Sequence, residues 1–195
     1  IYRRLVRANP ASYTADLARA LNILTLNLNR GGRMNEALAA VQEAVTIYRS
    51  LAQIDPAAYK PDLAACLHNV ATCLGDTGHR SAALAAIRET TTIRRELAER
   101  DPATHAPALA PCLHRLAKRL AEAGHRGEAL ETAREAVDLY RSLARKRPET
   151  FRQGLADTLG TYASVLQWVG KESDAARIHQ EVEDVTEQMA LKTSV

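Results

Sequence analysis

The sequence predicts an all-α chain, a solenoid of four 46-residue helix–turn–helix repeats. Three observations predict it. Columns of identical residues recur at a 46-residue step without insertion: Pro10, Pro56, Pro102 and Pro148; Gly32, Gly78, Gly124 and Gly170; and three leucine and two alanine columns, among them Leu17, Leu63, Leu109, Leu155 and Ala37, Ala83, Ala129, Ala175. Inside each copy the apolar residues fall at helical spacing, as in Leu63, Leu67, Val70 and Leu74. The apolar 46% of the chain is mostly Ala, Leu and Val with only 4% aromatics, which favours close-packed helices over a β-sandwich.

The elements follow in order. Residues 1–9 match the stretches before Pro56 and Pro148, so they read as the tail of a preceding repeat, with the array continuing upstream. Four repeats follow: 10–55, 56–101, 102–147 and 148–195. Each opens on its proline, with Asp55 and Asp101 placed to cap and proline at the first helical position. Lys60-Pro61 and Ala106-Pro107 predict a broken first turn in repeats two and three, because a residue before proline avoids the α region. The glycine column stops the first helix in a left-handed conformation. Asn35, Ser81, Gly127 and Ser173 then stand where an N-cap for the second helix is expected. That helix runs through Val41, Val45 and Tyr48 and ends before the next proline. Alanine columns let helix axes approach where one pair stacks on the next. In the last copy Leu38, Leu84 and Leu130 give way to Ala176, and Val45 and Val137 to Glu183, so residues 172–192 read as a polar capping helix.

The stretch "NVATCLGDTGHRSAALAAIRETTTI" carries Leu/Val–Ala, Gly, Ala–Leu and small-residue columns, and "LNRGGRMNEALAAVQEAVTIY" matches a G-x-x-x-E-A-L-x-x-x-x-x-A pattern. They resemble the tetratricopeptide repeat, in the extended bacterial and kinesin-light-chain-like variety, since the period exceeds the usual ~34 residues. The resemblance covers nearly the whole chain. It implies a right-handed solenoid whose first helices line a concave groove. It also implies a non-enzymatic protein-interaction module that binds a peptide or partner domain there, often as the sensor or scaffold arm of a larger bacterial signalling protein. Self-association through an array end or the convex face is the alternative.

Composition narrows the classes. A net charge of +3 with interspersed charges argues against a nucleic-acid face. Cys66, Cys73 and Cys112 are odd in number without CxxC spacing, as in reduced buried thiols of a cytoplasmic protein. No apolar run reaches membrane-span length and no signal peptide is visible. Phosphate-loop, dinucleotide, zincin and nucleophile-elbow motifs are missing, so no catalytic residue, cofactor or metal is assigned. "GDTGHR" resembles a glycine loop only in composition; His79 and His125 read as solvated turn residues. Cys66, His68, Cys112 and His114 could form a zinc site only if residues two apart on a helix shared a face, which they do not.

Transferred by register from the resemblance, the groove is lined in repeat one by Arg19, Asn22, Leu26, Asn29 and Arg30, and in repeat two by His68, Asn69, Thr72 and Asp76. Repeat three offers His114, Arg115, Lys118 and Glu122, and repeat four Asp157, Ser164, Gln167 and Trp168. The family's two-carboxylate clamp is not expected: Asn69 and Arg115 match it, but Asn22, Leu26 and Pro111 replace its Lys, Asn and Lys. Trp168 reads either as a partner anchor or, the preferred reading, as packing under the capping helix. Tyr2, Tyr48 and Tyr140 form one column and Tyr13, Tyr59, His105 and Phe151 another, both read as packing between repeats. Arg94 breaks the tyrosine column opposite His105, as a weak point or a polar contact.

Overall fold

A computed structural model describes residues 2–193; Ile1 and residues 194–195 of the predicted first and last segments lie outside the described residues. The described chain is helical from end to end: α1 (Tyr2–Ala8), α2 (Pro10–Arg30), α3 (Met34–Ile54), α4 (Pro56–Asp76), α5 (Arg80–Arg100), α6 (Pro102–Glu122), α7 (Arg126–Lys146), α8 (Pro148–Trp168) and α9 (Glu172–Thr193). It divides into two compact units, Ile1–Arg100 and Asp101–Val195. The first holds α1–α5 and the second α6–α9. Within each unit every helix packs on the next, and the first helices of successive pairs also touch, α2 on α4 and α6 on α8.

Local chemistry sets the boundaries. Each of the four column glycines has a positive φ, between 72 and 85°. An L side chain is strained there, so the glycine is the cheap way out of a helix. The residue after it closes the turn on a carbonyl five back: Arg33 on Leu28, His79 on Leu74, His125 on Leu120 and Lys171 on Leu166, each at 2.8 or 2.9 Å. Asp55 and Asp101 cap α4 and α6, accepting from the amides of Ala58 (3.0 Å) and Thr104 (3.2 Å).

Two expectations need correction. The helices do not break at Pro61 or Pro107: α4 and α6 run unbroken through them, and α6 also through Pro111. Pro61 and Pro107 lie only six residues into their helices. Little of the hydrogen-bond ladder precedes them, and packing of the apolar face holds the turn. Nor do Asn35, Ser81, Gly127 and Ser173 cap. They are the second helical residues, and the residue after each glycine takes the cap position. Arg33 and His125 stand at that position with no side-chain cap bond. Helix entry rests on the glycine turn instead.

The alanine column at the crossings is closed to solvent, from Ala37 at 0% to Ala175 at 1% exposure. Of the aromatic columns, one pair in each unit packs between repeats, while Tyr2 is 41% exposed. Tyr48 and Tyr59 have ring centroids 6.4 Å apart, and Tyr140 and Phe151 share one core cluster with Leu155 and Leu159. Burial pushes both Tyr48 and Tyr140 up to about 12. Gly154 is needed beneath Tyr140, because a Cβ there would lie 2.5 Å from the ring. Arg94, in the tyrosine column, has its Nε buried with no hydrogen-bond partner among the described residues. Buried threonines spend their hydroxyls on the carbonyl four residues back, as Thr25 does on Leu21 at 2.9 Å.

A further column escaped the sequence reading. Arg3, Arg49, Arg95 and Arg141 recur at the 46-residue step, and so do Glu43, Glu89, Glu135 and Glu181. Within the units these join second helix to second helix: Arg3–Glu43 at 2.6 Å, Arg49–Glu89 at 2.7 Å and Arg141–Glu181 at 2.5 Å. Such exposed pairs contribute at most about 1 kcal/mol each, so they tune packing that the apolar seam provides.

Candidate functional site

In the second unit, α6 and α8 lie side by side, held by the 2.9 Å contact between His114 Nε2 and Thr161 Oγ. Thr161 Oγ also lies 3.1 Å from the Asp157 carbonyl. The arrangement that satisfies every atom has His114 Nε2–H donating to Thr161 and the Thr161 hydroxyl donating to that carbonyl. Burial, the largest influence, lowers the His114 pKa; Lys118 and Arg115 act the same way and Asp157 opposes them. His114 is thus a neutral donor holding two helices together, with no free base nitrogen aimed at Thr161.

Below this bridge opens a cavity of about 640 Å³. Ala121, Val165 and Trp168 supply its apolar floor, and His114, Lys118, Glu122, Asp157, Thr161 and Ser164 its polar edge. The size and the mixture of apolar floor with few polar groups suit a ligand-sized insertion. Trp168 is half-buried, and the Arg126 guanidinium of α7 sits 4.5 Å from its ring centroid. A cation over an indole face stabilises by about 0.5–1 kcal/mol and fixes the ring. Trp168 therefore lines the cavity beside Arg126. The rim acids are engaged by their own helices: Glu122 takes Arg119 at 2.8 Å and Asp157 takes the Gln153 amide at 2.8 Å.

Six of the eight candidates from repeats three and four thus meet around one cavity. Gln167 does not; it meets His179 of α9 at 3.3 Å. Arg115 is half-buried outside the lining. Thr161 was missed although the register pointed to it. It stands one 46-residue step from Arg115 and two from Asn69. Ala121 and Val165 were missed because small apolar residues read as packing.

In the first unit the candidates are placed differently. Asn69 donates to Asn22 Oδ1 at 2.7 Å, bridging α4 to α2, and Cys73 Sγ lies 3.4 Å from Asn29 Oδ1. Arg19 pairs with Asp16 of its own helix at 3.1 Å. His68 and Thr72 are half-buried, the Thr72 hydroxyl donating to the His68 carbonyl at 3.1 Å. Leu26, Arg30 and Asp76 are exposed. Burial pushes the Cys66 thiol up to about 12, which makes it a poor nucleophile. Among the described residues no group of three His, Cys, Asp or Glu side chains is arranged to hold an ion. No described helix is long and apolar enough to cross a membrane.

Comparison with known proteins agrees on the fold. A tetratricopeptide-repeat family model matches residues 63–103. No curated protein matches the sequence. Among solved structures, the apo form of RapI superposes with a TM-score of 0.74 at 15% identity, over 98% of this chain and 64% of its own. Aspartyl phosphate phosphatase F from Bacillus subtilis gives 0.69 at 12% identity, over 90% of this chain and 42% of its own. MamA gives 0.64 at 13% identity, over 97% and 86%. The chain thus spans about two fifths of the phosphatase and under two thirds of RapI. It carries a tetratricopeptide repeat, and its fold is that of tetratricopeptide-like helical repeat proteins.

Proposed function

We propose that this chain is a protein-interaction module whose first-helix face holds a peptide or a segment of a partner protein, with the cavity between α6 and α8 as its anchor point. The observation that carries the reading is the convergence of an apolar floor, a half-buried tryptophan and an unpaired lysine in one opening of about 640 Å³. Among the described residues Lys118 makes no ion pair, while both rim acids are engaged. Aromatic anchors in such openings carry a large share of binding energy. The similarity to longer proteins, one of them an aspartyl phosphate phosphatase, supports a role as the sensor or scaffold arm of a larger bacterial signalling protein in the cytoplasm.

Trp168 is the only tryptophan in the chain, so its emission reports the cavity directly. Peptides selected from a display library against the whole chain should shift Trp168 emission and lose binding to Trp168→Ala. Selected peptides that bind both proteins equally and leave the emission unchanged would refute the reading.

A second reading, self-association, rests on one observation. Ile23, Leu24 and Leu26 of α2 are 55, 45 and 44% exposed. Sedimentation of the chain should then show a concentration-dependent dimer that Ile23→Ser with Leu24→Ser abolishes; a monomer at all concentrations removes this reading.

A further inference from the structure

The second unit holds another cavity, of about 440 Å³, where the end of α7, the start of α8 and α9 meet. It shares no residue with the cavity beside Trp168. Pro148, Leu155 and Val185 give it apolar surface, and the guanidiniums of Arg145 and Arg152 border it together with Gln188. Arg141 lies there too, but it is already bonded to Glu181 and Asp138.

The first unit supplies an internal control, because each of these positions has a counterpart 92 residues earlier. There Lys60, the counterpart of Arg152, is paired with Glu96, the counterpart of Gln188. Arg49–Glu89 corresponds to Arg141–Glu181. Gln53 stands at the position of Arg145, and Asp55, which caps α4, at that of Arg147. Arg147 offers α8 no side-chain cap and lies over the Phe151 ring, 5.2 Å from its centroid. Residues 53–60 with Glu96 carry one cation and two acids. Residues 145–152 with Gln188 carry four cations and one acid, Glu149. Local charge therefore changes from −1 to +3 on one backbone. Among the described residues neither Arg145 nor Arg152 has a carboxylate partner.

Folding alone does not call for this change, since the first unit closes the same position with an ion pair. We infer that the α7–α8–α9 cavity is a second docking site, for an acidic segment of a partner protein that also carries apolar side chains. The guanidinium fork takes carboxylates in a bidentate geometry, and the apolar surface between the arginines suits an amphipathic chain. A single-stranded nucleic acid would call for open aromatic faces to stack its bases; Phe151 is buried at 9% exposure and covered by Arg147.

The test uses fluorescence anisotropy of the whole chain with a labelled peptide of alternating Glu and Leu, its Gln-for-Glu counterpart, inorganic phosphate as competitor, and a single-stranded oligonucleotide. The acidic peptide should bind, weaken as salt is raised, and lose at least about tenfold in affinity in Arg145→Glu with Arg152→Glu. Gln188→Glu, which rebuilds the Lys60–Glu96 pair, should weaken it by a smaller factor. Arg145 and Gln188 are exposed and Arg152 is half-buried, and helicity by circular dichroism checks folding. Equal affinity for the acidic and Gln peptides overturns the proposal. So does undiminished binding in both variants, displacement by millimolar phosphate as effectively as by unlabelled peptide, or tighter binding of the oligonucleotide that the same variants abolish.

Discussion

The two first-helix faces share one backbone plan and differ in what it carries. In the first unit Asn69 reaches Asn22 across 47 residues of chain, and in the second His114 meets Thr161 across the same 47. These bridges occupy equivalent places. One to two turns further along the faces part. Asn29, Cys73 and Asp76 of the first unit correspond to Ala121, Val165 and Trp168 of the second. In the first unit a polar contact crosses between the helices there; in the second, apolar side chains leave a cavity. The repeat thus separates two tasks: the column positions are held constant, and the positions between them are free to differ. The charge reversal at the start of α8 follows that rule on other residues.

The comparison can be broken or sharpened by experiment. If the cores are equivalent and only the faces differ, Leu67→Ala and Leu159→Ala, 3 and 0% exposed, should cost similar amounts. A loss of about 2–5 kcal/mol each is expected for a buried leucine, read from urea denaturation. A loss in one unit several times the other would show that the cores are not equivalent.

Trp168→Asp copies the first unit's Asp76 into the second. Affinity for a selected peptide should fall by about 2 kcal/mol or more, roughly thirtyfold, while Asp76→Trp leaves it unchanged. Isothermal titration measures both.

The bridges should respond differently to acid. His114 has a lowered pKa in the folded state, so the unfolded chain takes up its proton first. Stability from this residue is full above the ordinary histidine value. It is lost as pH falls from there toward the depressed folded value. His114→Gln should flatten that part of the stability–pH curve, whereas Asn69→Leu, which breaks the other bridge without adding or removing a titrating group, should not. Thermal unfolding across pH 4.5–7.5 decides; an unchanged slope in His114→Gln would remove the histidine as its cause.

The smallest effect is expected on the arginine–glutamate column. Arg49→Ala and Arg141→Ala should each cost at most about 1 kcal/mol by denaturant unfolding, with Arg141 the larger because it also holds Asp138.

The sequence by itself determined the repeat, its period, the glycine stops and the aspartate caps. Each of these is local: a positive φ demands glycine, and a carboxylate three residues before an amide can cap it. It also separated the repeating alanine and leucine columns from the positions between them that vary. It misjudged Pro61 and Pro107, where a local preference yields to the packing of a whole helix face. Tertiary structure alone decided which varied residues meet. His114 and Thr161, or Lys60 and Glu96, are joined only once helices from neighbouring repeats lie side by side. The direction of Trp168 depends on Arg126 of another helix. Whether an arginine is paired or open depends on a residue 36 positions away, since the Lys60–Glu96 separation recurs as Arg152 and Gln188. Convergence of side chains over such distances is set by helix packing, and no local rule contains it.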